Sequence, residues 1–218
     1  MDSPAASSRT ALVAGASGLV GREILQGLLA DDGVAAVHAL ARRPLAVTHP
    51  KLTIHLVDFA ALPALPHVDE VYLALGTTIK VAGSQSAFRA LDFDANLAVA
   101  KEALAAGARQ LGLVSAMGAS VQSSLFYSRV KGELEQALDG LGYEGVVIAR
   151  PSMLAGDRPA LGQPERGGEQ LALKVSRWLR PLIPANYRSV QAKDVAGALL
   201  RAVPVARGQK IILSGALA

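Results

Sequence analysis

The stretch TALVAGASGLVG, residues 10–21, decides how this chain is read. Residues 10–14 form an apolar run of strand length, and Gly15, Gly18 and Gly21 follow at intervals of three. From Leu19 the apolar side chains recur at helical spacing as far as residue 30. A strand therefore turns straight into a helix across three glycines. The first N–H groups of such a helix lack partners within it, and glycines let a diphosphate approach them without a side chain in the way. An ordinary glycine-rich turn shares the pattern, so the surroundings must discriminate.

Working outward, the alternation continues. Strands are predicted at 34–40, 52–57, 71–75, 110–115 and 145–149, and helices at 85–106, 124–139 and 194–202. Phe88, Leu91, Ala95, Ala98 and Val99 share one side of the first long helix, which Gly107 ends, and Gly140 closes the second. Strands that are almost continuously apolar, interleaved with helices, belong to a parallel sheet covered on both faces. The predicted fold class is α/β, a doubly wound parallel sheet. After Pro151 the pattern dissolves. Residues 156–168 hold two Pro and four Gly, and 169–179 reads as a helix. We expect one nucleotide-binding domain over 9–218, a loose tail at 1–8, and a substrate-facing segment at 151–190.

Composition narrows the function classes. Of 218 residues 51% are hydrophobic but only 4% aromatic, so the core must be built from Ala, Val and Leu. The absence of cysteine removes disulfides, thiolate metal sites and thiol nucleophiles together. With no secretory signal at residues 1–8, this predicts a cytoplasmic protein. The net charge of +4 comes from scattered basic residues, Arg42-Arg43 apart, which predicts no nucleic-acid partner. A charge-free stretch at 110–128 reaches spanning length, but Gly112, Ser115, Gly118, Ser120, Ser123 and Ser124 interrupt it, so no membrane partner is expected. His38, His49, His55 and His67 lack metal-ligand spacing, and no metal is implied. Asp31-Asp32, Asp69-Glu70 and Asp92-Asp94 read as solvated acids. Trp178, with Leu173 and Leu182, serves either as core packing or as a substrate wall.

Chemistry concentrates at three places. The second strand ends in Ala41-Arg42-Arg43-Pro44, two guanidiniums with no carboxylate. An acid there would accept from a free ribose 2′-hydroxyl, whereas guanidiniums suit a 2′-phosphate, so NADP(H) is expected over NAD(H). The alternative is a pair of solvated surface arginines. Asp58, after the third strand, is placed to hold an adenine amino group, and Gly76 lets the chain pass close under a cofactor. Tyr127 and Lys131, four apart, share a helix face. A neighbouring ammonium stabilises a phenolate and brings its proton within reach of neutral pH. Ser115 closes the fifth strand, where its hydroxyl can meet the same substrate oxygen.

On these residues the sequence resembles the short-chain dehydrogenase/reductase superfamily, in its atypical branch, over almost its whole length. The resemblance is carried by GASGLVG at 15–21, Asp58, LGTT at 75–78, VSAMGA at 114–119, YSRVK at 127–131, ARPS at 149–152 and AKDVA at 192–196. The stretch LGTTIKVAGSQSAFRALDFD at 75–94 is similar to Tat-interacting-protein-type and bacterial sugar-epimerase-like oxidoreductases. The resemblance implies a Rossmann-like sheet and a Ser115, Tyr127, Lys131 constellation acting on a small-molecule substrate. Tyr127 would exchange the proton with substrate oxygen, Lys131 hold the nicotinamide ribose and tune Tyr127, and Ser115 orient the substrate. Cofactor contacts are expected from Gly15, Ser17, Gly18, Leu19, Val20, Gly21, Arg42, Arg43, Asp58, Phe59, Leu75, Gly76, Thr77, Lys131 and Pro151. Asp92 stands where extended members carry Asn, and the short C-terminal part argues against a sugar-nucleotide substrate. Two rivals to a dehydrogenase stay open: a non-catalytic NADP(H)-sensing regulator, and an epimerase or dehydratase that keeps its nicotinamide bound. The resemblance also implies a homodimer paired through the helices at 85–106 and 124–139.

Overall fold

The first strand shows why the sequence runs are so apolar. In the computed structural model, which describes residues 8–155, 186 and 189–217, Ala11, Leu12, Val13 and Ala14 of strand β1 (Arg9–Ala14) are all fully buried. Ala11 and Val13 point into one core and Leu12 and Ala14 into the other, because successive side chains of a strand alternate in direction. Both faces of the sheet are covered, so the four buried positions from Ala11 to Ala14 are all apolar, and the polar Arg9 and Thr10 sit at the half-buried start of the strand.

Six further strands complete the main sheet: β2 (Val34–Ala41), β3 (Leu52–Leu56), β4 (Glu70–Leu73), β5 (Gln110–Val114), β6 (Gly145–Arg150) and β9 (Gly208–Leu213). Their order is β3-β2-β1-β4-β5-β6-β9, and every neighbouring pair is parallel. A short separate pair, β7 (Leu154–Ala155) and β8 (Val190–Gln191), lies outside it. Helices α1 (Leu19–Ala30) and α6 (Ala192–Ala202) pack on one face. On the other lie α4 (Asn96–Ala105) and α5 (Phe126–Asp139). The chain winds from β1 outward through β2 to β3, then returns to place β4 on the opposite side of β1. Where the winding reverses, the connections diverge and leave a crevice at the carboxyl ends of β1 and β4.

Two of the three glycines in the first turn answer to the protein's own packing at this crevice. Gly15 has φ +96°, and a Cβ on it would stand 2.4 Å from the carbonyl oxygen of Ala74. A Cβ on Gly21 would stand 2.1 Å from the carbonyl oxygen of Gly15. The tight turn and the close seating of α1 on it thus require glycine before any ligand is considered.

The structure differs from the sequence reading in several places, among them a one-turn helix α2 (Ile79–Ala82) that the sequence reading left out. The predicted helix at 85–106 is three segments: α3 (Gln85–Arg89), a π-helical turn over Ala90–Ala95, and α4. The wide turn brings Asp92 and Asn96 inward, where both are fully buried. Strand β9 has no counterpart in the prediction. It is an edge strand, exposed at Gly208, Gln209, Lys210 and Ile211, so neither a continuous apolar run nor an alternation marks it. Helix α5 begins at Phe126 rather than 124, with its N-cap at Leu125, and α6 begins two residues before 194. The predicted irregular segment at 156–168, the helix at 169–179, and Trp178 with Leu173 and Leu182 lie outside the described residues, as does most of 151–190.

Candidate nucleotide-binding site

The crevice at the reversal point has a floor and two walls. Gly18, Leu19 and Val20 at the start of α1 line one side, Ala74 to Thr77 after β4 the bottom, and Ser115, Tyr127 and Lys131 the other side. Asp92, Val114 and Leu154 complete the lining. Nine of the residues singled out in the sequence therefore meet in one cleft: Gly18, Leu19, Val20, Leu75, Gly76, Thr77, Ser115, Tyr127 and Lys131.

The α1 end of the cleft fits an anion. The N-cap of this twelve-residue helix is Gly18, which has no side chain to cap it, and its first turn holds no acidic residue that would repel a diphosphate. Gly18 is less confined than Gly15 and Gly21, but a Cβ on it would still press on the Gly15 carbonyl oxygen at 3.3 Å, with the Ala74 carbonyl oxygen at 4.0 Å. Next to it, a Cβ on Gly76 would meet Asp92 Oδ1 at 3.4 Å and Lys131 Nζ at 3.8 Å, so a bare backbone crosses the cleft floor there.

At the α5 end, Tyr127 is half-buried and its ring packs against Phe88, with centroids 5.4 Å apart. Lys131, one turn on, is buried, and its Nζ lies 2.8 Å from Asp92 Oδ1, with side-chain exposures of 4% and 1%. Burial alone pulls the Lys131 ammonium down. The Asp92 carboxylate, with Tyr127 and Glu135, more than offsets this, and the group stays protonated above the usual lysine range. The solvated reading of Asp92 is thereby corrected: the π turn turns it into the core, and its partner is a cation. The signal for it was available, because Asp92 and Asn96 stand four apart within an otherwise apolar helix face.

Ser115 lines the cleft, and its hydroxyl donates a short hydrogen bond to the buried carboxylate of Glu135. Arg150 holds the same carboxylate, its Nε donating at 3.1 Å and its Nη2 more closely. A Cβ on Gly132 would lie 2.3 Å from the Ser120 backbone, so glycine lets the loop after β5 lie against α5. Glu135, four residues beyond Lys131 on the same helix, was not singled out in the sequence.

The remaining expected contacts lie outside the cleft lining. Gly15 and Gly21 are absorbed in the turn. Arg42 and Arg43 are exposed just beyond β2, at the same carboxyl end of the sheet. Asp58 is exposed and closes its own loop, accepting from the Ala60 N–H at 2.9 Å, while Phe59 beside it is buried in the core. Pro151 is buried, its carbonyl accepting from the Met117 N–H at 2.9 Å. Ser17 sits in the turn itself. Among the described residues no cluster of three or more His, Asp or Glu could hold a metal ion.

A family model described as NAD(P)H-binding matches residues 15–178. The chain belongs to this NAD(P)H-binding family. The chain is 39% identical over 154 residues to "Protein fmp52, mitochondrial" of Emericella nidulans, covering 66% of each. It is 36% identical over 155 residues to "Protein FMP52-1, mitochondrial" of Scheffersomyces stipitis, covering 68% of this chain and 69% of that one. The chain thus spans about two thirds of the length of the curated relatives it matches. Among solved structures, a complex of MoeE5 with UDP-glucose and NAD superposes with a TM-score of 0.70 at 18% identity, over 93% of this chain and 75% of that one. A short chain dehydrogenase family protein from Francisella tularensis gives 0.68 at 15% identity, over 95% and 98%. These likenesses establish an NAD(P)-binding Rossmann domain with neighbours among short-chain dehydrogenases and epimerases. The relatives' names overturn the cytoplasmic expectation, since both are called mitochondrial. The absence of cysteine removes disulfides but does not discriminate among compartments, so the cytoplasmic expectation had no physical support of its own.

Proposed function

We propose that this family member is an NADP(H)-dependent oxidoreductase acting on a small carbonyl or alcohol, with Tyr127 as acid and base. The observation that carries the reading is the shared cleft, in which an uncapped helix amino terminus, a glycine-floored loop, Ser115, Tyr127 and Lys131 face one space. When bound, a nicotinamide supplies the hydride chemistry, and the chain supplies binding, orientation and the proton. The backbone of Gly18 to Val20 holds the diphosphate, and the Arg42 and Arg43 guanidiniums take the 2′-phosphate. Lys131, kept charged by Asp92, would hold the nicotinamide ribose beside Tyr127, whose phenol exchanges the proton with the substrate oxygen. Ser115, its own proton given to Glu135, meets a substrate hydroxyl as an acceptor. The relatives' names support a mitochondrial setting.

The test is a fluorescence titration with NADPH and NADH, followed by a panel of carbonyls and alcohols assayed with wild type and Tyr127→Phe. The expected result is tighter binding of NADPH, and a loss of turnover in the variant of about 10²-fold or more with cofactor affinity unchanged. Full turnover by Tyr127→Phe refutes the mechanism. A second reading, a nicotinamide-sensing regulator without turnover, draws on the Ser115–Glu135 bond, which withholds a donor from a substrate carbonyl. Tight NADPH binding with no turnover across the panel favours it.

A further inference from the structure

A second cavity, of about 450 Å³, lies between the end of α6 and the edge strand β9, and it shares no lining residue with the cleft. That volume falls within the range of small-molecule sites, roughly 300–1,000 Å³. Its floor is apolar. Ala198 and Ala202 stand four apart on one face of α6, while Ala206 and Ile212 line the space from the turn after that helix and from β9. Alanine on the helix side is what leaves the space open. Val205, 76% exposed, adds an apolar rim.

The walls are cationic. Arg201, Arg207 and Lys210 line the cavity, all three are exposed, and no acidic residue lines it. Arg207 Nη1 donates to the Ala206 carbonyl at 2.8 Å, and its Nη2 stands 3.8 Å from Glu144, a carboxylate that Arg109 already holds at 2.9 Å. Among the described residues Arg201 and Lys210 have no ion-pair partner. Like charges gathered round one recess repel one another, and the concavity concentrates their field. Water held on the apolar floor is unfavourable as well. A ligand relieves both only if it joins a negative head to an apolar body. Guanidiniums bind phosphate bidentately, and a phosphate monoester is largely doubly charged at neutral pH.

We propose that this cavity is a binding site for a soluble phosphate monoester with a short apolar body, its head held by Arg201, Arg207 and Lys210 and its body laid on Ala198, Ala202 and Ile212. The site is separate from the coenzyme cleft and does not depend on the oxidoreductase reading given above.

The test is a calorimetric titration of the whole chain with hexyl phosphate, inorganic phosphate and hexanol, with saturating NADPH present to occupy the cleft. Hexyl phosphate is expected to bind about tenfold or more tightly than either of the others, because each of them offers only one half of the contact. Arg201→Gln combined with Lys210→Gln is expected to weaken hexyl phosphate about fivefold or more and to leave NADPH affinity unchanged. Ala202→Leu keeps every charge but fills the floor, and is expected to bring hexyl phosphate down to the affinity of inorganic phosphate. Should Ala202→Leu fail to fold, the exposed double variant decides the question. Raising salt from about 20 to about 200 mM should weaken hexyl phosphate severalfold and leave hexanol unmoved. Equal affinity for hexyl phosphate and inorganic phosphate, an affinity untouched by the double substitution, or no binding of hexyl phosphate overturns the proposal. Lipid headgroups carry the same chemistry, so cosedimentation with phosphatidylcholine vesicles, with and without about 20% phosphatidic acid, separates the two sources. Capture by the acidic vesicles that the double substitution abolishes, without binding of free hexyl phosphate, moves the ligand to a membrane surface and overturns the soluble one. A wild type that binds no coenzyme removes the function proposed above but leaves this test standing, since the titration then runs on the empty chain.

Discussion

Glu70 offers a quantitative test of the packing. It opens β4 at the end of the sheet opposite the cleft and is 1% exposed. Burial drives its carboxyl up to about 7 from an ordinary 4.5, and the nearby Asp31 and Asp69 push the same way. Arg9 Nε at 3.6 Å from its Oε1 and the Tyr72 hydroxyl donating at 3.3 Å pull it down, but not enough to restore it. Because the folded-state value lies above the unfolded one, the folded protein holds the proton longer. Its contribution to stability is complete below pH 4.5 and is lost as pH rises to about 7. The difference, 7 minus 4.5, is 2.5 units, which at about 1.36 kcal/mol each amounts to ~3 kcal/mol. Glu70→Gln keeps the shape and never ionises. Urea unfolding of both proteins between pH 5 and 8 is expected to move their stability difference by about 2–3 kcal/mol in favour of the variant as pH rises. His38, whose pKa is lowered by burial and by His55, gives an opposing trend in the acid part of this range, but it is common to both proteins and cancels. Stability curves that stay parallel across the range refute a buried, proton-holding Glu70.

Four further outcomes are expected. Gly21→Ala drives a Cβ into the Gly15 carbonyl and should cost about 3 kcal/mol or more together with loss of NADPH binding. Gly140→Ala is its control: φ is −78° and the nearest atom lies 3.7 Å away, so thermal denaturation should register no loss, or a gain of about 0.5 kcal/mol. Arg42→Ala combined with Arg43→Ala should narrow the NADPH-over-NADH preference about tenfold, the low end for exposed charge-assisted bonds, and equal affinities in the unmodified protein would remove the basis for it. Ser115→Ala takes a donor from the buried Glu135 carboxylate and should lower urea stability by about 1–2 kcal/mol, with Arg150 retaining the charge; an unchanged unfolding midpoint would show that the Ser115 bond contributes nothing.

Much of the site was legible because its signals are local. The glycines of residues 15–21 mark a turn with special backbone demands, and Tyr127 and Lys131 share a helix face by spacing alone. Asp92 was misread as solvated for a reason that is equally physical. Its spacing from Asn96 on an apolar face was a signal of burial, but its partners depend on a π turn that nothing in ALDFDA distinguishes from an ordinary helical one until Lys131 and Thr77 are brought against it. The Glu135 acceptor of the Ser115 hydroxyl was not legible because the two residues are twenty apart in the chain, and only the packing of strand on helix brings them together. Strand β9 escaped notice since an edge strand buries too little to leave a pattern.

Hydrophobic order and glycine placement were enough to specify the alternation of strands and helices, the doubly wound class and the nucleotide-binding turn, because those depend on interactions between near neighbours in the chain. Which carboxylate faces Lys131, where the Ser115 proton goes and what closes the sheet beyond β6 were settled by contacts between segments far apart in sequence. Such contacts are set by how buried charges find counter-charges once water is excluded, and that choice leaves no periodicity to be read beforehand.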